Sequence, residues 1–107
     1  MTKKNLLIFS NINFHKNNLK EIKDKFNVFQ IKSFKQVSVL NEKIKNKIEI
    51  IYCDPLYYYS KKFLKQFKRL NALASSTTST DFIDIEFCKK KNIKVFSLEK
   101  EQKFLSS

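Results

Sequence analysis

The chain has 107 residues and a formal net charge of +12, and 42% of it is hydrophobic, with eleven Phe and four Tyr. That is enough apolar material for the core of a single domain, residues 1–107, and too much for a disordered chain. It holds no glycine at all, which excludes Gly-rich phosphate loops and any GxGxxG dinucleotide turn, and no apolar run approaches the roughly 20 residues of a membrane span.

The opening MTKKNLLIFSNIN is basic but has only a short apolar stretch and no small-residue cleavage site. It therefore reads as a first strand, Asn5–Phe9, and not as a signal peptide, and a cytoplasmic location is expected. Asn17 or Asn18 is placed to cap a helix bearing Leu19, Ile22 and Phe26, with Glu21 and Lys25 paired at i,i+4. Val28–Ile31 follows as a strand, then a helical face of Val37, Leu40 and Ile44, then a third strand, Ile48–Tyr52.

Asp54-Pro55 breaks the chain into a loop carrying Tyr57, Tyr58 and Tyr59. Ser60 caps a predicted helix bearing Phe63, Phe67 and Leu70. Leu70–Ala74 and Lys94–Ser97 are the fourth and fifth strands. Asp84 is the predicted N-cap of the helix between them, with Glu86 in its first turn and Lys89, Lys90 and Lys91 in its last. Each charge complements the helix dipole. Asn92 stands where a left-handed residue ends the helix.

Strands and helices in alternation imply right-handed crossovers and helices on both faces of a parallel sheet. The expected fold is a flavodoxin-like three-layer α/β domain with a five-stranded parallel sheet. In such a sheet the loop Ser75–Asp81 leaves the carboxyl end of a strand, where open α/β folds bind ligands. Strand, polar loop and capped helix also form the arrangement that offers backbone N–H groups to anions. The loop that contains Tyr57 and Tyr58 leaves the same rim, so both tyrosines are candidate ligand contacts there, with core or rim packing as the alternative, and at least one of the three tyrosines must pack inward.

The remaining chemistry-bearing residues point to little. Cys53 and Cys88 have no CxxC spacing and no companion His cluster, and read as small buried hydrophobes, with neither a metal site nor a disulfide. The only histidine, His15, reads as a surface residue. The positive charge comes from one Arg and otherwise from Lys, scattered along the chain among ten Asn. Base and phosphate recognition favours the Arg fork, so a solvated lysine surface is preferred over a nucleic-acid face.

The segment from Leu70 to Leu105 resembles the N-terminal substrate-binding domain of the NAD-dependent, D-isomer-specific 2-hydroxyacid dehydrogenases, notably the phosphoglycerate-dehydrogenase-like members. The family pattern there is a strand, a small-residue loop ending Gly-x-Asp, a second Asp three residues on, a helix, Gly-Ile and a strand. Ser79-Thr80-Asp81, Asp84 and Asn92-Ile93 stand at those positions, and KVFSLEKEQKFL is similar to the exit towards the family's cofactor domain. The stretch Ile48–Arg69 fits more loosely, and the first 47 residues match in element order.

The resemblance implies that main-chain amides of Ser79 and Thr80, with Thr78 beside them, hold a substrate carboxylate, and that Asp81 and Asp84 support the loop. It also implies NAD bound on a glycine loop of a second domain, which supplies the catalytic Arg, Glu and His. Leu105-Ser106-Ser107 falls about where the family crosses into that domain. A truncated or split chain is therefore expected, lacking the Rossmann cofactor domain and the closing C-terminal helix and leaving an apolar patch exposed. It would hold no catalytic residue and no cofactor of its own, and would be inactive alone. The implied partners are a small 2-hydroxy or 2-keto acid and a separate NAD-binding chain. Two other readings stay open: a stand-alone flavodoxin-like interaction module, and a basic nucleic-acid-associated protein.

Overall fold

The computed structural model describes residues 3–9, 16–54, 56–75 and 81–97. Its elements are β1 (Lys4–Phe9), α1 (Lys16–Lys25), β2 (Phe26–Ile31), α2 (Phe34–Ser38), α3 (Glu42–Lys45), β3 (Ile50–Cys53), α4 (Lys61–Leu64), β4 (Ala72–Ser75), α5 (Ile85–Lys90) and β5 (Lys94–Ser97). The strands lie in the order β2-β1-β3-β4-β5, and every neighbouring pair is parallel. That is the flavodoxin-like order, with its switch point between β1 and β3.

The two-residue period of the strands divides the core into two layers. Leu7, Phe9, Ile31, Ile51, Cys53 and Leu73 point to one face, where Val37 of α2, Phe63 and Leu64 of α4, and Phe87 and Cys88 of α5 cover them. Leu6, Ile8, Ile50, Tyr52, Ala72 and Ala74 point to the other, against Ile22 of α1. A sheet buried on both faces needs strands that are apolar throughout, and IIYC and ALAS are buried at all positions. Ile50, Tyr52, Ala72 and Ala74 are all buried, so the expected apolar patch does not lie on these strands. The exposed large hydrophobics among the described residues are Val39, Leu56 and Tyr58.

The structure shifts several expected boundaries. α1 begins at Lys16, so Asn17 and Asn18 lie inside it and neither is its cap. Phe26, expected on that helix, is the first residue of β2, because β2 extends back to pair with Lys4 of β1. The expected ion pair is present, with Lys25 Nζ 3.5 Å from Glu21 Oε1. The single helix expected through Val37, Leu40 and Ile44 is two short ones. Asn41 takes an extended ψ of 139° and its side chain accepts from Lys43 N at 2.7 Å, so it caps a new helix instead of continuing the old one.

Ser60 caps α4 as expected, accepting from Phe63 N at 3.2 Å. The helix ends after Leu64, however, and Phe67 and Leu70 reach the core from turns. Lys61 and Lys62 oppose the dipole in its first turn, and the Gln66 side chain donates to the Phe63 carbonyl at 3.2 Å, so extension is disfavoured.

At α5 the reading holds closely. Asp84 caps it, and Asn92 has φ 56°. Ile93 N donates to Cys88 O at 2.8 Å and Asn92 N to Lys89 O at 3.3 Å, the paired bonds of a Schellman ending. β5 then starts at Lys94, alongside Ala72 of β4.

Candidate functional site

The carboxyl ends of β3 and β4 sit side by side, with Cys53 opposite Ser75. Two loops leave this edge. The first starts at Asp54, which is buried, and returns into α4 at Ser60. Asp54 folds it locally: its Oδ1 accepts from Leu56 N at 3.0 Å and its carbonyl from Tyr57 N at 3.2 Å. This is the Asx geometry that an Asp before a Pro favours.

The second loop leaves buried Ser75 and re-enters described structure at Asp81, which is exposed. The predicted carboxylate-binding residues Thr78, Ser79 and Thr80 lie outside the described residues, as does His15. Asp84 is described and caps α5, its Oδ1 accepting from Phe87 N at 3.1 Å.

The two loops are joined. Tyr59 pairs with Ile83 in a short parallel bridge, where Tyr59 N donates to Phe82 O at 2.7 Å and Asp84 N donates to Tyr59 O at 3.0 Å. The tyrosine run is sorted by this bridge. Tyr59 is fully buried, Tyr57 is half-buried and stacked on Phe34 at 4.3 Å, and Tyr58 is exposed. Tyr58 is therefore exposed on the loop that leaves the carboxyl edge of the sheet, and Tyr57 packs against Phe9 and Phe34.

Sequence reasoning missed the brace beneath these loops. The Tyr59 hydroxyl accepts from Asp54 N at 2.7 Å and donates to Asp54 O at 3.3 Å. Burial and the neighbouring Cys53 thiol push the Tyr59 phenol well above its ordinary pKa. Burial, with Cys88 nearby, likewise raises Cys53, and burial with Asp84 pushes Cys88 up to about 11. Both cysteines are free, buried and held as neutral thiols.

Lys45 was also missed. It is buried, with Nζ 3.1 Å from Gln66 Oε1 and 3.9 Å from Glu42 Oε1. It departs from the uniform solvated-lysine reading, and nothing in its local sequence signals that.

A cavity of about 530 Å³ is lined by Lys4, Phe26, Ile50, Ala72 and Lys94, the first residues of the five strands. It marks the amino edge, opposite the one where open α/β sheets take ligands. Among the described residues no group of His, Cys, Asp or Glu is arranged to hold a metal ion, and no helix is long and apolar enough to cross a membrane. The chain has no glycine, so it carries no GxGxxG turn.

A parallel β2-β1-β3-β4-β5 sheet with helices packed on both faces defines an α/β domain. Residues 6–101 match the family model of the D-isomer specific 2-hydroxyacid dehydrogenase, catalytic domain, and the chain belongs to that family. No curated protein matches it by sequence.

Solved structures share the fold. A 2-hydroxyacid dehydrogenase from Ketogulonicigenium vulgare Y25 has a TM-score of 0.73 at 17% identity, covering 89% of this chain and 29% of its own. D-lactate dehydrogenase from Aquifex aeolicus, solved with NAD and lactic acid, gives 0.67 at 24% identity, covering 84% and 26%. The NAD+-bound 3-phosphoglycerate dehydrogenase of Entamoeba histolytica gives 0.68 at 18% identity, covering 88% and 32%. The chain thus spans about three-tenths of the length of these proteins.

Proposed function

We propose that this chain is the substrate-domain portion of an NAD-dependent D-2-hydroxyacid dehydrogenase, and that it holds the carboxylate of a small 2-hydroxy or 2-keto acid on main-chain amides. The observation that supports this reading is where the described chain stands on either side of the Ser/Thr segment: within the family-matched region, β4 ends at Ser75 beside Cys53 of β3, and Asp84 caps the helix that follows.

In this reading the amides of Ser79 and Thr80 donate to the carboxylate, Thr78 lies beside them, and Asp81 and Asp84 keep the loop in shape. Tyr58 contributes to the rim. The cofactor chemistry of the intact enzyme is hydride transfer to or from NAD, and a separate NAD-binding chain would complete the cleft. This chain alone forms no NADH from NAD and a 2-hydroxy acid.

The test is an amide-resolved NMR titration of the chain with pyruvate, using acetone as the carboxylate-free control. Half a site should bind weakly, near the millimolar range that corresponds to about 4 kcal/mol. Saturable shifts at Asp81–Asp84 with pyruvate and none with acetone support the proposal. Equal responses to both, or none to either, refute it. Retention on DNA that falls steeply with added salt would instead favour the nucleic-acid reading.

A further inference from the structure

Four hydrogen bonds converge on Tyr59. Its hydroxyl accepts from Asp54 N and donates to Asp54 O, at 2.7 and 3.3 Å. Its own N–H donates to Phe82 O at 2.7 Å, and its carbonyl accepts from Asp84 N at 3.0 Å. The ring is fully buried, edge-on to Phe34 at 5.0 Å and to Phe63 at 5.4 Å.

A phenylalanine would satisfy that aromatic packing equally well. A buried hydroxyl costs free energy unless it is bonded, and this one is held by its two bonds to the Asp54 main chain, with the Cys53 thiol a further hydrogen-bond neighbour. Those bonds close the turn that Asp54 begins. They hold the Tyr59 backbone, on which the segment entering α5 hangs, at a fixed distance from the end of β3.

We propose that Tyr59 is a positioning residue whose hydroxyl, without touching ligand, locks the loop leaving β3 to the segment that re-enters α5 and so sets the affinity of this edge for a carboxylate. The inference rests on the carboxylate reading given above. It adds to that reading a buried control point outside the Ser/Thr loop.

The test compares wild-type chain, Tyr59→Phe and Tyr57→Phe, the last a control that removes a neighbouring hydroxyl. Two quantities are read: the pyruvate dissociation constant from NMR titration, and hydrogen-exchange protection of the Tyr59 and Asp84 amides. The expected result is at least a fivefold weaker pyruvate affinity in Tyr59→Phe, with tenfold or greater loss of protection at both amides and little change in Tyr57→Phe. Unchanged affinity or unchanged protection in Tyr59→Phe overturns the inference.

If wild-type chain itself shows no pyruvate response, the carboxylate reading falls, and the exchange result still decides whether Tyr59 couples the two loops. Should Tyr59→Phe fail to fold, wild-type exchange in low denaturant decides the coupling instead. A common opening for the Asp54, Tyr59 and Asp84 amides supports it, and separate openings overturn it.

Discussion

Replacing Asp84 by alanine removes the acceptor that holds Phe87 N at 3.1 Å and caps α5. Loss of an N-cap side chain costs about 1 kcal/mol, within a range of roughly 0.5–2. The carboxylate also meets the positive end of the helix, an effect of about 0.3–1 kcal/mol in longer helices. α5 has only six residues, so the lower end of that range applies. The sum is about 1.3 kcal/mol. In a domain of this size 1 kcal/mol moves the melting temperature by about 4–8 °C, which gives an expected fall of about 5–10 °C.

Asp84→Asn separates the two contributions, because it keeps an acceptor oxygen and loses the charge. It should melt within about 2 °C of wild type, the dipole share alone. The Asp84 main-chain bond to Tyr59 survives in both variants, so the difference reports on the side chain. Thermal melts by circular dichroism measure it. Equal losses in the Asn and Ala variants would show that charge and not capping stabilises this helix, and no loss in Ala would refute the capping argument altogether. A second readout is the Cys88 thiol, which burial and then Asp84 hold up near 11. Its ultraviolet titration should move to lower pH in Asp84→Asn.

The raised thiols also give the whole domain a pH dependence. Cys53 and Cys88 release their protons at lower pH unfolded than folded, so stability is full below about pH 9 and falls as pH rises towards 11. Urea midpoints from pH 8 to 11 should decline less steeply in Cys88→Ala than in wild type. Leu73, fully buried in β4, should cost about 2–5 kcal/mol when cut to alanine, read from urea denaturation; a loss under 1 kcal/mol would contradict its place in the core. Asn92 holds φ 56°, so Asn92→Ala should cost about 1 kcal/mol while Asn92→Gly stays near neutral, its strain relief offset by backbone entropy. Lys45→Met, which keeps the buried stem, should change stability by under about 1 kcal/mol, and Lys45→Ala should lose more through packing.

Elements with strong local signals were legible in the sequence. β1 and β3 are apolar runs. α5 carries its own start and stop in Asp84 and Asn92, and the parallel sheet follows from strand–helix alternation. The division of α2 from α3 was not legible, because the spacing of Val37, Leu40 and Ile44 suits one helix and only the Asn41 cap breaks it. α4 misled for a related reason: Phe67 and Leu70 keep helical spacing while reaching the core from turns. At the site, Asp84 as the cap of α5 could be read in advance. Which of the three tyrosines turns inward could not, since adjacent identical residues carry no period and the Tyr59–Ile83 bridge that decides it is a tertiary contact. Lys45 is buried for the same kind of reason, through Gln66, a neighbour distant in sequence.

The all-parallel sheet bears on how the domain comes into being. Leu6 of β1 pairs with Ile50 of β3 only after α1, β2, α2 and α3 have been laid between them. Loop closure of that length precedes any gain from the pairing, so assembly belongs to the slower, high-contact-order regime, not the microsecond regime of helical bundles. Until the centre closes, LLIF and IIYC are unpaired apolar segments that neighbouring nascent chains can capture. The net charge of +12 acts during that interval, as mutual repulsion between unfinished molecules.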